Sequence, residues 1–187
     1  MGEIKSAWEI AQEKTSKLGK LSPEEQKRQR KDRCRLIGKS LAEKYLSQYD
    51  VRLIEIELNK HSAEDKDIIR QAAINRLIEG INLGHGVRLD EISQGILDLA
   101  KNEKPVQILG KVKELFEEYN AIENREKQEI DKAGREILHQ LRISGTAISQ
   151  INTRAKEEWQ KKLNHLAQPL EERLKGLKQE LLNCTHV

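Results

Sequence analysis

In the last third of the chain, Ala155, Trp159, Leu163, Leu166, Leu170, Leu174, Leu177 and Leu181 recur at steps of four and three. That spacing lines one flank of a helix with apolar groups. The steps make an eleven-residue repeat, close to the natural helical period, which predicts a straight or slightly right-handed pairing. The stripe keeps its phase across Pro169, since Leu166, Leu170 and Leu174 continue one progression. One helical path bent at the proline is therefore expected, although an interior proline loses a hydrogen bond and costs roughly 3 kcal/mol. Upstream, Ile130, Ile137, Ser144 and Ile151 repeat at seven and interleave with Gly134, Leu141, Ile148 and Ala155, as seam positions of a coiled coil do. Pro105 suits the first turn of this element. Taken as one path from residue 105 to about 182, the rod would be roughly 115 Å long at 1.5 Å per residue. The charged stretch 123–129, Gly145 and Pro169 are its expected bends. Such a rod cannot bury its stripe alone, and two partners stay open: a second copy, or the amino-terminal helices folded back along it.

The rest of the composition fits that picture. Apolar residues make up 36% of the 187 residues and charged residues 35%, so burial in narrow helical stripes is expected rather than a deep core. The chain reads as all-α. Its formal charge of +3 is small for so many ionised groups, and any pull toward nucleic acid or membrane must be local. No apolar run approaches the ~20 residues that span a bilayer. No secretory core follows the amino terminus, and Cys34 and Cys184 lie far apart, so free thiols in a reducing cytoplasm are expected.

Three regions follow from the pattern: charged amino-terminal helices over 1–49, a small helical module over 50–103, and the rod over 104–187. In the first, Ile4, Trp8, Ala11, Thr15 and Leu18 share one side of a helix that Gly19 stops. Ser22, Pro23 and Glu25 then make a capping box with proline at the first helical position. Cys34, Ile37, Leu41, Tyr45 and Leu46 form the apolar side of this second helix. Residues 51–58 alternate like a strand but also fit a helix, and without a second strand-like run helix is favoured. Ser62 and Asp65 mark the start of the next helix, "GHG" at 84–86 breaks it, and Leu89, Ile92, Ile96 and Leu99 give a further buried side.

Chemistry is sparse. Glu136 and His139 make one E-x-x-H, but a dinuclear bundle site needs a second and two further Glu. There is no H-E-x-x-H, phosphate cradle or nucleophile elbow, and Cys184 with His186 falls short of a zinc set. No enzyme, metal or cofactor is expected. The bare myristoylation pattern at Gly2 and Ser6 is short and often met by chance, and the formal sequon at Asn183 would not meet the glycosylation machinery without a secretory signal. The run with Lys27, Arg28, Arg30, Lys31, Arg33 and Arg35 supplies cations that can neutralise phosphates, without aromatic residues to stack on bases.

The opening MGEIKSAWEIAQEKTSKLG, followed by a charged helix after SPEE, resembles a group of uncharacterised, highly charged helical proteins from anaerobic and related bacteria. The likeness covers mainly residues 1–48 and implies no activity, cofactor or binding residue. The long charged helices also resemble peripheral stalk subunits of rotary ATPases, but the mixed α/β terminal domain of those subunits has no counterpart here. The expected function is a non-enzymatic structural or adaptor protein that self-associates, with another helical protein as a further partner. Its interface would comprise Ile137, Leu141, Ile148, Ile151, Trp159, Leu163, Leu166, Leu170, Leu174 and Leu177. The alternative is nucleic-acid association through the basic segment 27–39.

Overall fold

The structure, a computed structural model, describes residues 22–84, 88–100, 103–141 and 146–185. Side chains at 51, 53, 137–139, 141 and 146–158 lie outside that description, as does the helix expected over the first nineteen residues. Six helices and no strand make up the described residues: α1 (Pro23–Gln48), α2 (Val51–Asn59), α3 (Ala63–Glu79), α4 (Leu89–Ala100), α5 (Lys104–Leu141) and α6 (Thr146–Thr185). The fold is all-α. The alternating segment after Asp50 is helical, with Asp50 capping it by accepting from the Arg52 amide at 3.0 Å.

Local signals set the starts. At α1 the capping box is complete: the Ser22 amide donates to Glu25 Oε2 at 2.8 Å and the Glu25 amide to Ser22 Oγ at 3.2 Å. The box at α3 is rerouted, because Asp65 does not reach back to an amide. It accepts from the Ser62 hydroxyl at 2.9 Å and takes both guanidinium arms of Arg30, from thirty-five residues earlier, at 2.8 and 2.9 Å. A bidentate guanidinium is a stronger partner for a carboxylate than one amide.

Helix α3 is the hub. Ile69, Ala73, Leu77, Ile74 and Ile78 are at most 1% exposed, leaving little of its circumference to water. Helix α1 runs beside it in the same direction, shown by the successive pairings Arg30–Asp65, Gly38 against Ala72, and Glu43–Arg76. Gly38 allows this approach: a Cβ there would strike the Ile69 carbonyl and come within 2.7 Å of the Ala72 methyl. Gly95 on α4 does the same for the Tyr45 ring, whose hydroxyl donates to the Glu91 carbonyl at 2.5 Å. Tyr49 ends α1 in the left-handed region at φ 54°, with Arg88 stacked 4.9 Å over its ring.

The expected single rod is instead two helices of similar length lying antiparallel. Arg173 of α6 meets Glu118 of α5 at 2.7 Å, and farther out Lys162 meets Glu126 at 2.5 Å. Leu163, Leu170, Leu174 and Leu181 are 0 to 5% exposed, and the last three share one core with Leu109, Val112, Leu115 and Tyr119 of α5. The stripe thus finds its cover within the chain, a third solution beside the two that periodicity left open. Chain reversal lets one apolar flank cover another without a second molecule. Helix α6 continues through Pro169. Pro169 and His165, whose carbonyl the proline leaves unbonded within the helix, are both on the exposed face, so water can take that bond. The end of α6 returns to the hub, where Lys178 donates to the Glu79 carbonyl at 3.3 Å and to Asn82 Oδ1 at 3.4 Å.

Candidate functional site: a groove beside helices α1 and α3

Residues of the parallel pair α1 and α3 line an open groove of roughly 930 Å³, with Leu99 and Ala100 of α4 and Thr185 of α6 also in its lining. Leu36, Ile68, Ala72, Leu99 and Ala100 give it an apolar lining. Leu36 is 68% exposed, an unusual state for a large apolar side chain that borders other apolar groups. The helical phase explains it. Cys34, Gly38, Leu41 and Tyr45 face the hub, while Leu36 lies off that stripe and is carried to the groove edge.

The rim carries charge that is largely self-neutralised. Arg35 meets Asp32 at 3.2 Å, Arg70 meets Asp67 at 2.7 Å, and Arg76 lies between Glu43 at 3.3 Å and Glu79 at 3.9 Å. An apolar floor between rows of balanced charge is a poor site for a small anion. It suits a helix with one apolar flank and mixed charge on the others, which buries apolar area without stranding an ion.

The basic residues singled out by sequence sit on the opening turns of α1, where Pro23 through Arg33 are all exposed. They do not act as one set. Arg30 is committed to Asp65 and Ser62, and Arg35 to Asp32, whereas Lys27, Arg28, Lys31 and Arg33 stand on the solvated part of the helix. The Arg30 guanidinium, followed by Ser62 and Cys34, holds the Asp65 carboxyl at about 2. Burial raises the Cys34 thiol, and the neighbouring Asp65 adds to the effect; the cluster therefore locks α1 to α3 and presents no reactive thiolate.

Of the ten stripe residues expected to join copies, Leu163, Leu170 and Leu174 are buried inside the chain, while Trp159, Leu166 and Leu177 are half-buried. Copy-to-copy packing through the three buried leucines would need the hairpin to open. Ile137, Leu141, Ile148 and Ile151 lie outside the described side chains, as do His139 and the "HG" of the GHG break. Among the described residues no group of three or more His, Cys, Asp or Glu is placed to hold a metal ion, and no helix is long and apolar enough to cross a membrane.

The groove was missed by sequence reasoning. Its one signal was Leu36, an apolar residue out of phase with its own helix. No family model, curated protein or solved structure matches the chain.

Proposed function

We propose that this chain is a non-enzymatic structural or adaptor protein that works by accepting an amphipathic helix in the groove beside α1 and α3. The observation that carries the reading is the exposed Leu36 beside Ile68 and Ala72, bordered by arginines that already hold carboxylates. Partner recognition is placed here rather than on the leucine stripe, whose strongest members α5 and its neighbours already cover. A reducing, cytoplasmic setting belongs to the same proposal, with Cys34 and Cys184 as reduced thiols. The test is fluorescence anisotropy with a labelled helical peptide of balanced charge and apolar residues three and four apart. Saturable binding that weakens at least tenfold in Leu36→Asp is expected. No binding at high micromolar protein would retire the reading.

A second reading, nucleic-acid association, is favoured by the exposure of Lys27, Arg28, Lys31 and Arg33 on solvated turns. Its test is a gel shift at low salt with Arg28→Glu, Lys31→Glu and Arg33→Glu combined. Arg30 is left intact because its loss would release Asp65 and disturb the fold. Binding that falls steeply with salt and disappears in the triple variant would support this reading; no retained DNA or RNA would remove it.

A further inference from the structure

We infer that the helix the groove accepts is α1 of a second copy of this chain, paired antiparallel with the first α1 about a two-fold axis beside Leu36; this rests on the reading of the groove as a helix acceptor. The groove's own wall points to it. Arg28, Asp32, Leu36, Lys39 and Glu43 follow one another on α1 at steps of four, four, three and four, and all five are exposed. Those steps keep them on one flank of the helix, turned away from the hub face of Cys34, Gly38 and Leu41. In order they read cation, anion, apolar, cation, anion. Reversed, they read anion, cation, apolar, anion, cation, so the row complements its own reverse. A two-fold interface sets one patch against itself, and this is the pattern it requires. With Arg28 opposite Glu43 of the second copy, Asp32 stands opposite Lys39 and the two Leu36 side chains meet beside the axis. In-register parallel pairing would set every charge against its like.

The charges left over within one chain agree. Among the described residues neither Arg28 nor Lys39 pairs with a carboxylate. Asp32 and Glu43, although they already touch Arg35 and Arg76, are each more than half exposed and keep lone pairs for a second cation. Helix α3 fits the same register. Arg30 is level with Asp65, Gly38 with Ala72 and Glu43 with Arg76, so the antiparallel pairing brings Leu36 of the second copy level with the turn of α3 between Ile68 and Ala72, the apolar lining of the groove. It also brings Lys39 of the second copy level with Asp67, a rim carboxylate 71% exposed. Each copy's Leu36 completes the other's groove.

The experiment is sedimentation equilibrium of the full chain from low to high micromolar concentration. Expected is a dimer that dissociates on dilution and weakens with salt, and about tenfold or more weakening in Leu36→Asp. Lys39→Glu and Asp32→Lys, made in separate chains, should each weaken self-association about tenfold or more, because each opposes like charges across the axis. Mixed in equal amounts, those two chains should recover dimer, since their charges then alternate again. Thermal melts close to that of the unaltered chain confirm that each variant folds. A dimer indifferent to Leu36→Asp, or charge variants that fail to recover on mixing, would overturn the inference. So would a single-chain mass throughout; slow labelling of Leu36→Cys in that single chain would assign the groove to another part of the same molecule. If the unaltered chain stays single while the labelled helical peptide binds the groove, the inference falls and the acceptor reading stands; if neither associates, both fall.

Discussion

Arg173 on α6 reaches Glu118 on α5 at 2.7 Å across fifty-five residues of chain. The pair fixes the register of two antiparallel helices, and the leucines beneath it carry most of the energy. Both side chains are about half exposed, so Arg173→Ala should cost only about 0–1 kcal/mol. Leu170→Ala and Leu174→Ala, which remove buried groups, should each cost about 2–5 kcal/mol. Urea unfolding of the three variants checks this ordering; equal effects would mean that the stripe is not buried in the single chain.

Two glycines should respond in opposite directions. Gly38→Ala drives a methyl into the α3 backbone at Ile69 and should destabilise by about 1–3 kcal/mol. Gly110→Ala, where nothing lies within 4 Å of an added Cβ, should stabilise α5 by about 0.5–1 kcal/mol through helix propensity alone. Thermal melts of both variants decide it, and a neutral Gly38→Ala would refute the close α1–α3 approach.

The Asp65 carboxyl is held at about 2 against an ordinary 3.8, chiefly by Arg30. The unfolded chain therefore binds the proton first as pH falls. The stabilisation is complete above about pH 5 and is lost progressively as pH drops through 4 toward 2. Asp65→Asn should lower stability at pH 7 and flatten the acid limb of a stability-versus-pH curve measured by urea midpoints. An unaltered acid limb would contradict the assignment.

Much of this was legible in the sequence where the determinants are local. The Ser22 box, the helix after Asp50 and the continuity of α6 across Pro169 depend on neighbours within a turn or two. Periodicity reports which flank is buried and is silent on what buries it, so the α5–α6 hairpin was not legible from the leucine steps. Gly145 was readable only as a weak point in a rod. Asp65 looked like a local cap because the competing Arg30 comes from another helix. The groove depends on how Gly38 seats α1 against Ala72, a relation that the apolar pattern of α1 alone does not encode.

Burial raises the thiols of both Cys34 and Cys184, so access sets their order, and Cys34 is only 4% exposed. Thiol labelling at neutral pH followed by peptide mapping should therefore modify the half-buried Cys184 first. Arg30→Gln, by loosening the Asp65 clamp, should speed reaction at Cys34. The reverse order in the unaltered chain would show that α1 is not locked to α3.

The hairpin itself can be read on a gel. Glu118→Cys and Arg173→Cys together, with Cys34→Ser and Cys184→Ser, place two thiols at one rung of the α5–α6 pair for a short bismaleimide. Crosslinking in dilute solution should give a compact species at the 21.6 kDa single-chain mass, with little product at twice that mass. A dominant crosslinked dimer with no internally linked chain would mean that the leucine flank is covered by a second molecule, and the single-chain hairpin would be wrong.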